Sequence, residues 1–160
     1  MPPRVLIVDD DDGFRGLIRR LLVESVSVVG EAADGEDAVK LARETLPEVV
    51  LMDIGLPNVD GLEATRRIKA ERPETKVVLL TALQEEAYLS ATGKSGADVL
   101  LPKASVRTEI VTAIRSIVPS FARYWDGKER RRRQMLPGRG SSWDGFDRRR
   151  LTPTPGGRAA

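Results

Sequence analysis

Four consecutive carboxylates, Asp9 to Asp12, follow the apolar run RVLIV at residues 4 to 8, and a lone carboxylate, Asp53, ends the apolar run VVLM at residues 49 to 52. Like charges held a few ångströms apart repel one another unless a cation or a helix amino terminus absorbs the field. Asp11 and Asp12 precede a helical pattern and read as caps. Asp9 and Asp10 read better as a site for a hard cation such as Mg²⁺, which takes oxygen ligands from one or two carboxylates together with phosphate and water. Thr81 follows the apolar run ending at Leu80, and Lys103 follows the run ending at Leu101 and Pro102. Each residue alone has a plain explanation as a cap or terminator. Carboxylates, a hydroxyl and an ammonium at four strand ends form a set suited to phosphate and metal.

These residues must be positioned by the elements that precede them. Arg4 to Val8, Val26 to Ala32, residues 49 to 52, Lys76 to Leu80 and Ala97 to Leu101 are short runs of the kind that form strands covered on both faces. Between them, apolar residues recur at helical spacing: Phe14, Leu17, Ile18, Leu21 and Leu22, then Ala38, Val39, Ala42 and Leu46, then Leu62, Thr65 and Ile68. Asp60 and Glu63 resemble a capping box at the start of the third helix. Gln84 to Thr92 reads as a fourth helix broken by Gly93 to Gly96, and Val106, Ile110, Ala113, Ile114 and Ile117 mark a last helix stopped by Pro119. Strands alternating with helices imply right-handed βαβ units, hence one parallel sheet with helices on both faces. Ligands of such sheets bind at the carboxyl ends of the strands.

The chain has 160 residues, with no cysteine and no histidine. Disulfides, thiolate metal sites and histidine bases are therefore excluded, and catalysis would fall to carboxylates, hydroxyls or lysine. No apolar run approaches the ~18 residues that span a bilayer, so the expectation is a cytoplasmic protein. Residues 119 to 160 hold 11 Lys/Arg and 4 Asp/Glu, a net of +7, against −5 for residues 1 to 118. They also hold five of the seven aromatics, with Arg runs at 130 to 133 and 148 to 150. The expected organisation is a domain over 1–118 and an irregular basic tail or linker over 119–160. Arginine interleaved with aromatics is also suited to single-stranded nucleic acid, by base stacking and phosphate pairing.

The runs VLIVDDDD, AADGEDAV, VVLMDIGLPNVDG, LLTA and LLPK together resemble the receiver domain of bacterial two-component response regulators, over residues 1 to 118. The resemblance implies a flavodoxin-like doubly wound sheet of five strands in the order 2-1-3-4-5. It implies Asp53 as phosphoacceptor, with Mg²⁺ held by Asp10, Asp53 and the backbone carbonyl of Gly55, and by Asp9 through water. Thr81 and Lys103 are the implied partners of the phosphoryl oxygens, and a sensor histidine kinase is the implied donor. Such a domain assists its own phosphorylation and dephosphorylation and is not otherwise an enzyme. A second copy, meeting the region of the last helix, is a further implied partner. Two departures stand out: Leu100 occupies a switch position that is usually aromatic, and no LuxR-type helix-turn-helix output, common in this group, is read in residues 119 to 160.

Two other readings compete. Asp10-Asp11-Asp12-Gly13 resembles the D-x-D-G signature of haloacid dehalogenase-like phosphatases, which would make Asp10 the nucleophile but leave Asp53 without a role. Alternatively, the basic tail governs the protein as a nucleic-acid-binding element and the receiver regulates it.

Overall fold

Apolar runs with no polar alternation can be satisfied only by cover on both faces, and the computed structural model gives them that cover. It describes residues 1–82 and 86–135, excepting the side chains of 86–88, 129 and 132–135. Five parallel strands, β1 (Arg4–Val8), β2 (Ser27–Ala32), β3 (Val49–Asp53), β4 (Lys76–Thr81) and β5 (Val99–Pro102), lie in the order β2-β1-β3-β4-β5. Between them run α1 (Asp12–Leu22), α2 (Gly35–Thr45), α3 (Gly61–Glu71) and α4 (Glu86–Ser95), followed by a 3-10 turn (Lys103–Ser105), α5 (Val106–Ile117) and α6 (Pro119–Met135). This is the parallel α/β architecture that the sequence pattern implies, in the strand order that the family resemblance implies. No helix among the described residues is long and apolar enough to cross a membrane.

Alternate residues of each strand feed two cores. Val5, Ile7, Val49, Leu51, Val78 and Leu80 pack against Ile18 and Leu22 of α1 and Ile110 and Ile114 of α5. Leu6, Val8, Val50, Met52, Val77 and Leu79 pack against Ala38, Val39 and Ala42 of α2 and Ala64 and Ile68 of α3. Strand β3, buried along its whole length, pairs with β1 on one side and β4 on the other, so Asp53 ends the central strand.

The helices start where the carboxylates predict. Asp11, Asp34 and Asp60 cap α1, α2 and α3, each accepting from a backbone N–H three residues on. The expected capping box is only half made, because the Glu63 carboxylate pairs with Arg66 and Arg67 instead of reaching back. Gly93 does not break α4; the helix continues to Ser95, and Gly96, at φ 83°, ends it in a conformation that favours glycine. Gln84, expected in α4, lies outside the described residues.

The sequence pattern closes the domain at 118; of two compact units in the structure, the first runs from Met1 to Gly127 and the second starts at Lys128. Pro119, expected to stop the last helix, ends α5 and opens α6, a placement that suits its fixed φ and missing N–H. Phe121 is fully buried in the α1/α5 core and meets Trp125 edge-on, with ring centroids 5.9 Å apart. Ser120 donates to Glu48 (2.8 Å), and Arg115 pairs with Asp126 (2.9 Å). The Arg run at 130 to 133 is helical in its backbone, while Trp143, Phe146 and the second Arg run lie outside the described residues.

Asp98 ties the start of β5 to its neighbours. Its carboxylate accepts from the Val77 N–H (2.9 Å), Lys69 Nζ (2.7 Å) and Lys76 Nζ (3.2 Å), and its own N–H donates to the Val77 carbonyl (2.9 Å). Burial alone would raise its pKa, but the Lys69, Val77 and Lys76 donors outweigh it and hold the pKa below the ordinary carboxylate value. The stability this pairing contributes is present above the unfolded-state pKa and is lost as pH falls through the lower folded-state value. Asp98→Asn should therefore cost about 1 to 2 kcal/mol near neutral pH, with the deficit shrinking below pH ~4, as urea unfolding at the two pH values would show. Phe121→Ala should cost about 3 to 5 kcal/mol in the same assay. A value near zero would mean that the domain ends before α6.

Candidate functional site

The carboxyl ends of β1, β3, β4 and β5 bring Asp9, Asp53, Thr81 and Lys103 to one edge of the sheet. Asp9 is fully buried; its N–H donates to the Ala32 carbonyl (3.1 Å), and its Oδ1 accepts from the Asp11 N–H (2.9 Å). Asp53 is 5 % exposed, and its Oδ1 accepts from the Gly55 N–H at 3.3 Å. Lys103 Nζ lies 2.6 Å from Asp9 Oδ2 and 3.2 Å from Asp53 Oδ2. Asp10 is exposed, and one oxygen each from Asp9, Asp10 and Asp53 fall within 4.8 Å of one another.

Electrostatics follow from burial. Desolvation raises the Asp53 pKa above the ordinary carboxylate value and Asp9 raises it further, while Lys103 and the Gly55 N–H pull against them. For Lys103, burial lowers the pKa, but Asp9 and Asp53 outweigh it, so the net shift is upward and the ammonium stays charged at neutral pH. Three carboxylates around one ammonium leave an uncompensated negative charge. Asp9 Oδ2 is enclosed and lies against Lys103 Nζ. An all-oxygen donor set with spare lone pairs fits a hard divalent cation.

Thr81 is buried at the end of β4, opposite Pro102 and one residue beyond Leu80, the register partner of Asp53. Leu100 is not part of the polar cluster. It sits opposite Leu79 in register and packs, partly buried, on the α2/α3 side of the sheet.

Several positioning residues escape a reading by residue type. A Cβ on Gly61 would fall 2.0 Å from the Asp53 carbonyl oxygen, so α3 can start against the end of β3 only with glycine there. Gly61 N–H then donates to the Ile54 carbonyl (2.9 Å). Gly35 likewise starts α2 where a Cβ would fall 2.0 Å from the Val59 carbonyl oxygen, which holds the far side of the same loop. Both follow an aspartate cap in the sequence and look like ordinary turn punctuation. Arg15 Nη1 donates to the Asp9 carbonyl (2.5 Å), and the face of the Phe14 ring lies 4.5 Å from Lys103 Nζ. Phe14 reads in sequence only as part of the apolar stripe of α1.

Comparison with known proteins agrees with this geometry. Residues 5–115 match the model of the response regulator receiver domain. The response regulator GacA of Pseudomonas aeruginosa is 43% identical over 116 residues, which cover 71% of this chain and 54% of GacA. The chain thus spans about half the length of the curated relatives it matches. The receiver domain of the response regulator NarL from Mycobacterium tuberculosis superimposes with a TM-score of 0.69 at 38% identity, covering 72% of this chain and 94% of that one. A CheX–CheY–BeF3–Mg complex from Borrelia burgdorferi gives a TM-score of 0.69 at 26% identity, covering 73% of this chain and 90% of that one. The dehalogenase-like reading, with Asp10 as nucleophile, is not favoured: Asp10 lies at the exposed margin of the cluster, while the lysine engages Asp53. With five strands in the 2-1-3-4-5 order, an acidic cluster at their carboxyl edge and a family match over most of that body, the chain belongs to the response regulator receiver domain family of two-component signal transduction.

Proposed function

We propose that Asp53 is the phosphoacceptor of this receiver and that Mg²⁺ supports the transfer. The observation that carries this reading is the position of Asp53: a buried carboxylate at the end of the central strand, 3.2 Å from a lysine ammonium and within 4.8 Å of two further carboxylates. A carboxylate oxygen is a competent nucleophile for a phosphoryl group. An Asp53 oxygen forms the new O–P bond while the bond from phosphorus to the donor breaks. Its electron pair leaves with the donor, for which a phosphohistidine on a sensor histidine kinase is the proposed source. Lys103 balances charge on one phosphoryl oxygen and the Thr81 hydroxyl donates to another, which is positioning and electrostatic help more than covalent chemistry.

Asp10, Asp53 and the Gly55 carbonyl would hold the metal, with Asp9 engaged through water. When bound, Mg²⁺ would supply positive charge for the developing phosphoryl oxygens. The complex with BeF3 and Mg described for the Borrelia protein supports this part of the reading.

Incubation with acetyl phosphate and Mg²⁺, followed by peptide mapping, should place one phosphoryl group on Asp53, and Asp53→Asn should take up none. Labelling of Asp10, or unchanged labelling of Asp53→Asn, would restore the dehalogenase-like alternative. Mg²⁺ that binds only the folded chain should stabilise it, by about 2.7 kcal/mol at a hundredfold excess over Kd. Asp10→Asn should need a higher Mg²⁺ concentration for the same rise in melting temperature, because one charged ligand is lost. The exposed position of Asp10 makes that substitution mild for folding itself.

A further inference from the structure

Lys103 has a long, flexible side chain, and ordering such a chain costs rotamer freedom. Asp9 and Asp53 attract its ammonium, but an ion pair does little to fix direction, and Asp9 holds the shorter contact, 2.6 Å against 3.2 Å. A third contact comes from α1, where the face of the Phe14 ring lies 4.5 Å from Nζ. An aromatic face attracts a cation within about 6 Å of its centroid, more strongly where water is partly excluded. The Lys103 side chain is 21 % exposed, so that condition holds. Phe14 is itself well placed to act as a fixed wall. Its N–H donates to the capping Asp11 carboxylate (2.8 Å), and its ring packs against the core shared by α1 and α5.

We propose that Phe14 is a positioning residue for phosphoryl transfer, its ring face holding the Lys103 ammonium within reach of Asp53 against the competing pull of Asp9 and of solvent. This rests on Asp53 being the phosphoacceptor. With an aliphatic side chain at 14 the core face is still filled, but the ammonium loses its third contact and spends less time where a phosphoryl oxygen on Asp53 will be. The loss falls on the transfer step, not on capture of the donor.

The test is a series of Phe14→Leu, Phe14→Tyr and Phe14→Trp in the full chain, each checked for cooperative thermal unfolding. Asp53 phosphorylation is followed as a function of phosphoramidate concentration in saturating Mg²⁺. Phe14→Leu should lower the limiting rate about threefold to tenfold while leaving the half-saturating donor concentration nearly unchanged. Phe14→Tyr and Phe14→Trp, which keep an aromatic face, should stay within about twofold of the parent. Independently of any transfer, the Lys103 ε-methylene proton resonances should be displaced upfield by the ring in the parent and return toward ordinary lysine positions in Phe14→Leu. A Leu variant with the parental rate and unmoved Lys103 resonances would overturn the proposal. So would Tyr and Trp variants as slow as Leu, since that pattern assigns the effect to packing. If the parent takes no phosphoryl group on Asp53, the phosphoacceptor reading fails, and the resonances still decide whether the ring holds the ammonium.

Discussion

One ammonium stands between two buried carboxylates, and the rest of the site depends on that arrangement. Asp9 and Asp53 come from adjacent parallel strands, so their side chains are forced together at the sheet edge wherever β1 and β3 pair. Two like charges out of water at that distance destabilise the fold unless something offsets them. Lys103 does so from the turn after β5, on the far side of β4, at 2.6 and 3.2 Å. Burial, together with the Asp9 charge, outweighs the lysine, so the Asp53 pKa remains raised. A site left short of positive charge is primed for a cation.

Holding that arrangement requires close approach of backbone to backbone. The loop after β3 is clamped by the first residues of two helices, Gly61 against the Asp53 carbonyl and Gly35 against the Val59 carbonyl. Neither glycine touches the chemistry. Each removes a methylene-sized obstacle that would otherwise push the loop, and Asp53 with it, away from Lys103. The aspartate caps beside them, Asp60 and Asp34, start both helices at the right residue, so helix initiation and site geometry are one requirement met by adjacent residues.

The chemical residues were legible because strand ends are easy to find when strands are short apolar runs and because acids, a hydroxyl and a lysine are conspicuous there. Asp9, Asp53, Thr81 and Lys103 could thus be assigned to one edge before any coordinates. What residue type conceals is distance. Phe14 and the core residues Leu17 and Ile18 look alike as members of an apolar stripe, and only the fold shows that one ring turns its face to an ammonium. Leu100 was legible as a departure at a switch position but not as a residue packed, partly buried, on the α2/α3 side of the sheet. Pro119 signalled the end of α5 and equally the start of α6. The deciding fact was the burial of Phe121, two residues later, which no composition count of a basic tail could show.

Strand β5 is only four residues long, and its two ends are held in different ways. At the amino end Asp98 is bolted to β4 and to α3 through backbone and two lysines. At the carboxyl end the Lys103 side chain is attached to its surroundings by charge and a ring face, contacts that can be exchanged without breaking backbone structure. The backbone of β5 stays in register with β4 from Val99 to Pro102, so a change in the Lys103 side-chain contacts is taken up at the sheet edge and leaves the ladder intact.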